Sequence, residues 1–172
     1  PAEFSEDESG MQVGRHPHTN LQTFSWMLNG EVLHKDSLGN KQVITKNQVN
    51  VMTAGTGLPQ GISHTEQSVF PDTGGSADAA RGLSMVQLWI ALPTDQQIER
   101  SFHHYPELPT WREDNVEMVL TTGSYDSVTG KRYEAPTIQY SKMVGIDVYF
   151  LEDGEVTLNL EPGFEYGILV TE

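Results

Sequence analysis

Two short runs of this chain carry ligand-type side chains at alternate positions: His16-Pro17-His18 and His64-Thr65-Glu66. In an extended strand alternate side chains point to one face, so each run aims two donor groups the same way. Two such strands laid together bring three imidazoles and one carboxylate to a point. Three neutral nitrogens and a hard oxygen, without sulfur, suit a first-row divalent ion such as Fe, Mn, Co, Ni, Cu or Zn. Four protein ligands on an octahedral ion leave two positions open for substrate and O2, so the expected centre is catalytic rather than a sealed structural site. With 6 histidines in the chain, a single His-x-His arises readily by chance. Two such pairs, each beside a glycine-bearing loop in a β-rich chain, single out His16, His18, His64 and Glu66 as the expected metal set.

The elements that must position these residues read as short strands. Leu21 to Leu28 alternates bulky and polar residues and ends at Asn29-Gly30, a strong turn signal. Further strands are expected at Glu31–Lys35, Gln42–Thr45 and Val49–Met52, followed by the glycine-rich stretch Ala54–Gly61 and the strand Ile62–Gln67 that carries the second ligand pair. Ser68–Arg81 reads as a mobile small-residue loop. Leu83–Leu92 is apolar on both faces, as in a buried sheet. Pro93–Arg112 reads as a connector with a short helix at Asp95–Arg100. A second run of strand signals follows at Val116–Leu120, Thr137–Tyr140, Ile146–Leu151, Glu155–Leu160 and Tyr166–Val170. Short strands, turn signals and little helical periodicity predict an all-β barrel or sandwich.

Formal charge is −14, from 24 acidic and 10 basic residues, which argues against direct nucleic-acid binding. The absence of cysteine excludes disulfides, thiolate zinc sites, iron–sulfur clusters and a cysteine nucleophile. No apolar run reaches the length of a membrane span, and no signal peptide opens the chain, so a cytoplasmic protein without a membrane partner is expected. Residues 1–12 read as an acidic arm. Because the first residue is Pro, the natural N-terminus is expected to be missing or processed. Gly55 and Gly57 precede no helix and so fail as a dinucleotide loop. No G-x-S-x-G elbow supports serine hydrolysis.

The stretch G-R-H-P-H-T-N-L-Q-T-F-S-W-M-L-N-G-E-V-L-H-K-D-S-L-G-N resembles the first block of the pirin family, within the cupin superfamily. V-M-T-A-G-T-G with G-I-S-H-T-E resembles the second block, and L-S-M-V-Q-L-W-I-A-L-P the strand leading out of the first barrel. The likeness runs from Val13 to Pro109 and continues more weakly to the end. It implies a bicupin: an N-terminal metal-binding cupin barrel over residues 13–105, then a linker and a partial C-terminal barrel over 106–172. The family's metal set falls on His16, His18, His64 and Glu66. Gln22 stands where the cupin motif usually has Glu, and Leu58-Pro59-Gln60-Gly61 reads as an insertion before the third histidine. The chain looks truncated at both ends. Its open half-barrel is expected to be covered by a homodimer partner or by a chain segment absent here.

The resemblance further implies a quercetin 2,3-dioxygenase-like activity on a flavonol-like aromatic substrate with O2. One divalent transition metal is expected, Fe(II) foremost, with Mn, Ni, Co, Cu or Zn as alternatives. Glu66 serves as both ligand and general base. The alternative is a non-catalytic, metal- or redox-dependent regulator that binds a protein partner. Among the remaining candidates, His34 reads as a half-buried, hydrogen-bonded histidine, and His103 and His104 as surface residues. Phe24, Trp26 and Trp89 fit a flavonoid pocket, although large aromatics on strands are usually core.

Overall fold

A computed structural model describes residues 10–69 and 82–171. The acidic arm lies mostly outside the described residues, and its last residue, Gln12, already belongs to a strand. The expected Ser68–Arg81 loop falls outside them apart from its first two residues. The described chain is all-β, without a helix. Among the described residues there is accordingly no helix long and apolar enough to cross a membrane.

Two four-stranded antiparallel sheets face each other. The first has the order β1 (Gln12–His18), β6 (Ile62–Ser68), β3 (Val32–Asp36), β4 (Lys41–Ile44). The second runs β7 (Ser84–Ala91), β2 (Leu21–Asn29), β5 (Val49–Thr53), β8 (Ser101–Tyr105). Side chains bridge the two. Gln87 of β7 reaches Glu66 of β6 at 2.8 Å, and Phe102 of β8 stacks on His34 of β3 with ring centroids 4.4 Å apart. One end of the space between them is closed by Met27, Val32 and Ile44, all buried, with Met85 and Leu83 against them.

β2 is buried on both faces, and alternation explains why. Thr23, Ser25 and Met27 look into the space between the sheets. Phe24 and Trp26 look outward and pack with Val49, Val51 and Val119. The outer covering is β9 (Thr110–Glu113), β10 (Val116–Thr122) and β13 (Gly145–Phe150), in the order β13-β10-β9, with a hairpin of β11 (Ser124–Asp126) and β12 (Arg132–Glu134). Its own core is Trp111, Val116, Met118, Leu120 and Tyr125.

Several expectations need correction. No helix forms at 95–100, because this segment bonds to Thr56 rather than to itself. The Thr56 hydroxyl donates to Gln96 O and accepts from Ile98 N, while Thr56 N donates to Ile98 O. The supposed connector contains β8 and β9, and β8 closes the second sheet. Thr137–Tyr140 is not a strand: Ile138 N donates to the Tyr105 hydroxyl and Thr137 Oγ1 to Thr121 O. Nor do Glu155–Leu160 and Tyr166–Val170 form strands, although their apolar alternation is strand-like. A strand needs a neighbour for its backbone groups. Among the described residues the chain beyond Phe150 pairs with no neighbouring strand, although Leu151 N donates to Asn115 O and Asn159 N to the Tyr125 hydroxyl, and Ile168 and Val170 are 95% and 79% exposed.

Candidate metal centre

β6 is the inner strand of the first sheet, between β1 and β3. Alternation buries Ile62, His64 and Glu66 on its inward face. β1 lies alongside with His16 opposite His64 and His18 opposite Ile62, after an irregularity between Val13 and His16. The turn after β1 is tied to the loop before β6, since Asn20 N donates to Gly55 O at 3.0 Å. Gly55 is required there. Its φ is +78°, and a Cβ would stand 2.9 Å from Ile98 O.

This framework brings three imidazoles together. His64 Nε2 is 2.9 Å from His16 Nε2 and 3.1 Å from His18 Nε2. His16 Nδ1 lies 2.8 Å from the carbonyl of Gly14. A carbonyl only accepts, so Nδ1 carries the proton and Nε2 presents its lone pair to the cluster. Burial, then the neighbouring histidines His34, His16 and His18, holds His64 down to about 3. Burial and His16 likewise lower His18. Burial thus favours the neutral rings of His64 and His18, and their Nε2 atoms converge with that of His16. Two nitrogens about 2.1 Å from one ion and at right angles stand about 3.0 Å apart, against about 3.4 Å for a tetrahedral pair. The observed 2.9 and 3.1 Å separations are short enough for His16, His18 and His64 to share one ion.

Glu66 enters differently from expectation. It is buried and shares a second group with His34 and His64, whose ligand atoms lie within 4.8 Å of one another, while His16, His18 and His64 form the first group. Its Oε1 accepts from Gln87 Nε2 at 2.8 Å, and the same amide donates to Ser25 Oγ at 2.9 Å. Gln22, by contrast, shares the outward face of Phe24 and Trp26 and donates to Thr53 Oγ1 at 3.0 Å, away from the imidazoles. Phe24 and Trp26 are core, at 4% and 5% exposure. Trp89 is not: it is 65% exposed and meets the His18 ring edge-on at 5.0 Å, forming an aromatic wall beside the cluster.

Three residues were misjudged from the sequence. His34 is fully rather than half-buried, at 3% exposure, and belongs to the site. Its signal was the i, i+2 spacing to Asp36 in His34-Lys35-Asp36, the same spacing as in the two ligand pairs. His103 and His104 are half-buried on β8 rather than on the surface, and His104 Nδ1 pairs with Asn50 Oδ1 at 2.7 Å.

These histidines set an acid response. His18, His64 and His104 are all held below the ordinary value near 6.5, so the unfolded chain takes up protons first as pH falls. The resulting destabilisation is absent above about pH 6.5 and grows downward, ending for His64 near about 3. Buried Asp147, held high chiefly by desolvation, opposes this only over its own window just above its ordinary 3.8. Thermal melts of metal-free protein are expected to show a melting temperature that falls steadily from pH 7 to pH 4, with a shallower slope in His64→Gln. A flat wild-type profile would show that the histidines are not buried neutral.

Comparison with known proteins agrees with this architecture. Two facing sheets with an imidazole cluster between them are the architecture of a cupin-type barrel with a candidate metal site. The pirin family model matches residues 1–90, and the chain belongs to the pirin family. It is 46% identical over its whole length to a Pseudomonas aeruginosa protein named "Putative quercetin 2,3-dioxygenase", covering 49% of that protein. It is 36% identical to a pirin-like protein of Caulobacter vibrioides over 64% of this chain and 37% of the relative. A crystal structure of quercetin 2,3-dioxygenase from Acinetobacter baumannii superposes with a TM-score of 0.68 at 39% identity, over 82% of this chain and 42% of that one. The chain thus spans half or less of the length of each of these relatives.

Proposed function

We propose that this chain is the metal-binding part of a dioxygenase of the quercetin 2,3-dioxygenase type, acting on a flavonol-like aromatic substrate with O2. In this reading residues 13–105 form the metal-binding unit and 106–172 the unit that covers its second sheet. What carries the proposal is the convergence of three imidazole nitrogens at 2.9 and 3.1 Å beside the buried Glu66 carboxylate. The names of the relatives support the substrate class.

His16, His18 and His64 would hold the ion, with Glu66 completing the set and Fe(II) the foremost candidate. When bound, the ion supplies Lewis-acid polarisation of the substrate oxygen and a template for O2. The remaining work falls to the chain. Trp89 offers a flat apolar surface beside His18 for an aromatic ring. Gln87 holds Glu66 Oε1 through one hydrogen bond, leaving Oε2 to take the substrate hydroxyl proton as general base. One O2 is consumed and one CO released per flavonol opened.

The test is quercetin turnover by protein reloaded with Fe(II), Mn(II), Co(II), Ni(II), Cu(II) or Zn(II), read as O2 uptake with CO release. Cleavage with at least one metal is expected. The regulator alternative predicts no cleavage with any metal, together with a protein-partner interaction that depends on the metal's oxidation state.

A further inference from the structure

The side of His64 facing away from the imidazole cluster is built as deliberately as the cluster itself. His64 Nδ1 lies 3.4 Å from His34 Nδ1, a long hydrogen bond, and His34 Nε2 lies 3.2 Å from Asp36 Oδ2. The three groups form a buried line running from the β3–β4 turn to the centre of the site. The Asp36 side chain is wholly buried and that of His34 nearly so, at 0% and 4% exposure.

Asp36 is surrounded by donors. Oδ1 accepts from Leu38 N at 2.9 Å, Asn40 N at 3.1 Å and Asn40 Nδ2 at 3.1 Å, and Oδ2 from Asn40 Nδ2 at 2.9 Å. A carboxylate in that setting is an acceptor. The turn that supplies these donors is closed by Asp36 N to Asn40 O and Gly39 N to Asp36 O, both at 3.1 Å. His34 cannot rotate freely to escape the pairing, because its ring lies flat on Phe102, with 15° between the planes.

Proton accounting then runs in one direction. Asp36 only accepts, so His34 Nε2 must donate, and in the neutral ring His34 Nδ1 is left with a lone pair. Facing that lone pair, His64 Nδ1 must carry its proton, which leaves His64 Nε2 with the lone pair aimed at His16 and His18. We infer that Asp36 and His34 are positioning residues that fix His64 in its Nδ1–H tautomer, presenting Nε2 as the metal ligand. The inference rests on the three-imidazole centre proposed above. A ligand histidine whose second nitrogen is hydrogen-bonded gains orientation and basicity, and losing such a partner typically costs about 10–100-fold in metal affinity.

Two measurements on the 172-residue chain test it. In metal-free wild-type protein, long-range proton–nitrogen NMR correlations of the histidine rings should show His64 in the Nδ1–H form and His34 in the Nε2–H form. Finding His64 in the Nε2–H form overturns the inference without any variant. Next, Co(II) affinity is read from the ion's visible absorption in competition with a chelator. Asp36→Asn, whose amide can donate to His34 and reverse the relay, and His34→Leu should each bind Co(II) about 10–100-fold more weakly. His34→Gln, which keeps an oxygen acceptor for His64 Nδ1–H, should recover most of the affinity that His34→Leu loses. A merely structural role for His34 predicts equal losses in His34→Leu and His34→Gln, and that result overturns the inference. So does unchanged affinity in Asp36→Asn and His34→Leu, or binding of a second Co(II) by wild type that requires His34 as a ligand. Should wild type bind no Co(II), the metal-centre reading fails, while the NMR tautomer still decides the relay on its own.

Discussion

Replacing His64 by alanine is expected to lower metal affinity by more than about 100-fold, since losing even an outer hydrogen-bond partner of a ligand costs about 10–100-fold. His64 is the residue at which everything meets. Its Nε2 is the atom that both His16 and His18 approach, and its strand lies between β1 and β3. Alanine removes the proposed shared ligand and leaves two imidazoles on one strand with the Glu66 carboxylate, a weaker chelate. Elemental analysis of purified protein should then show little retained metal. His103→Ala is the matched control: it deletes a half-buried imidazole on β8, in the opposite sheet, and should keep the wild-type metal content. Full stoichiometric metal in His64→Ala would mean that the ion binds elsewhere.

Much of this site was legible because a strand has a side-chain period of two. His16/His18 and His64/Glu66 can be read as same-face pairs from spacing alone, and β1 and β6 do lie side by side. His34/Asp36 has the same spacing and went unread as part of the site, because nothing local says that β3 flanks β6. That adjacency is long-range. The partnership of Gln87 with Glu66 was still less accessible, since it depends on how two sheets face each other. Failures elsewhere have the same root. Glu155–Leu160 and Tyr166–Val170 carry strand-like alternation, but strand formation follows pairing rather than propensity. The residues at 95–100 lack a helix because Thr56, some forty positions upstream, takes their hydrogen bonds. Trp89 reads from sequence as core like Phe24 and Trp26. Only the edge position of β7, where the sheet ends, leaves it exposed beside His18.

Glu66→Gln is expected to reduce flavonol cleavage by about 10²–10⁴-fold, the range typical of losing a general base. The substitution is well suited to the site. Glu66 Oε1 accepts from Gln87 Nε2, and a glutamine oxygen accepts the same hydrogen bond, so the side chain keeps its anchor and its volume. What disappears is the negative charge and the basicity needed to take the substrate hydroxyl proton. The three imidazoles remain, and with them a reduced but measurable affinity for the ion. Rates must therefore be compared at matched metal content, which separates loss of the base from loss of the metal. A drop confined to metal content, with equal turnover per bound ion in wild type and Glu66→Gln, would make Glu66 a ligand alone and assign the proton to another acceptor. A rate per bound ion that falls by two or more orders of magnitude at matched metal content would assign proton abstraction to the Glu66 carboxylate.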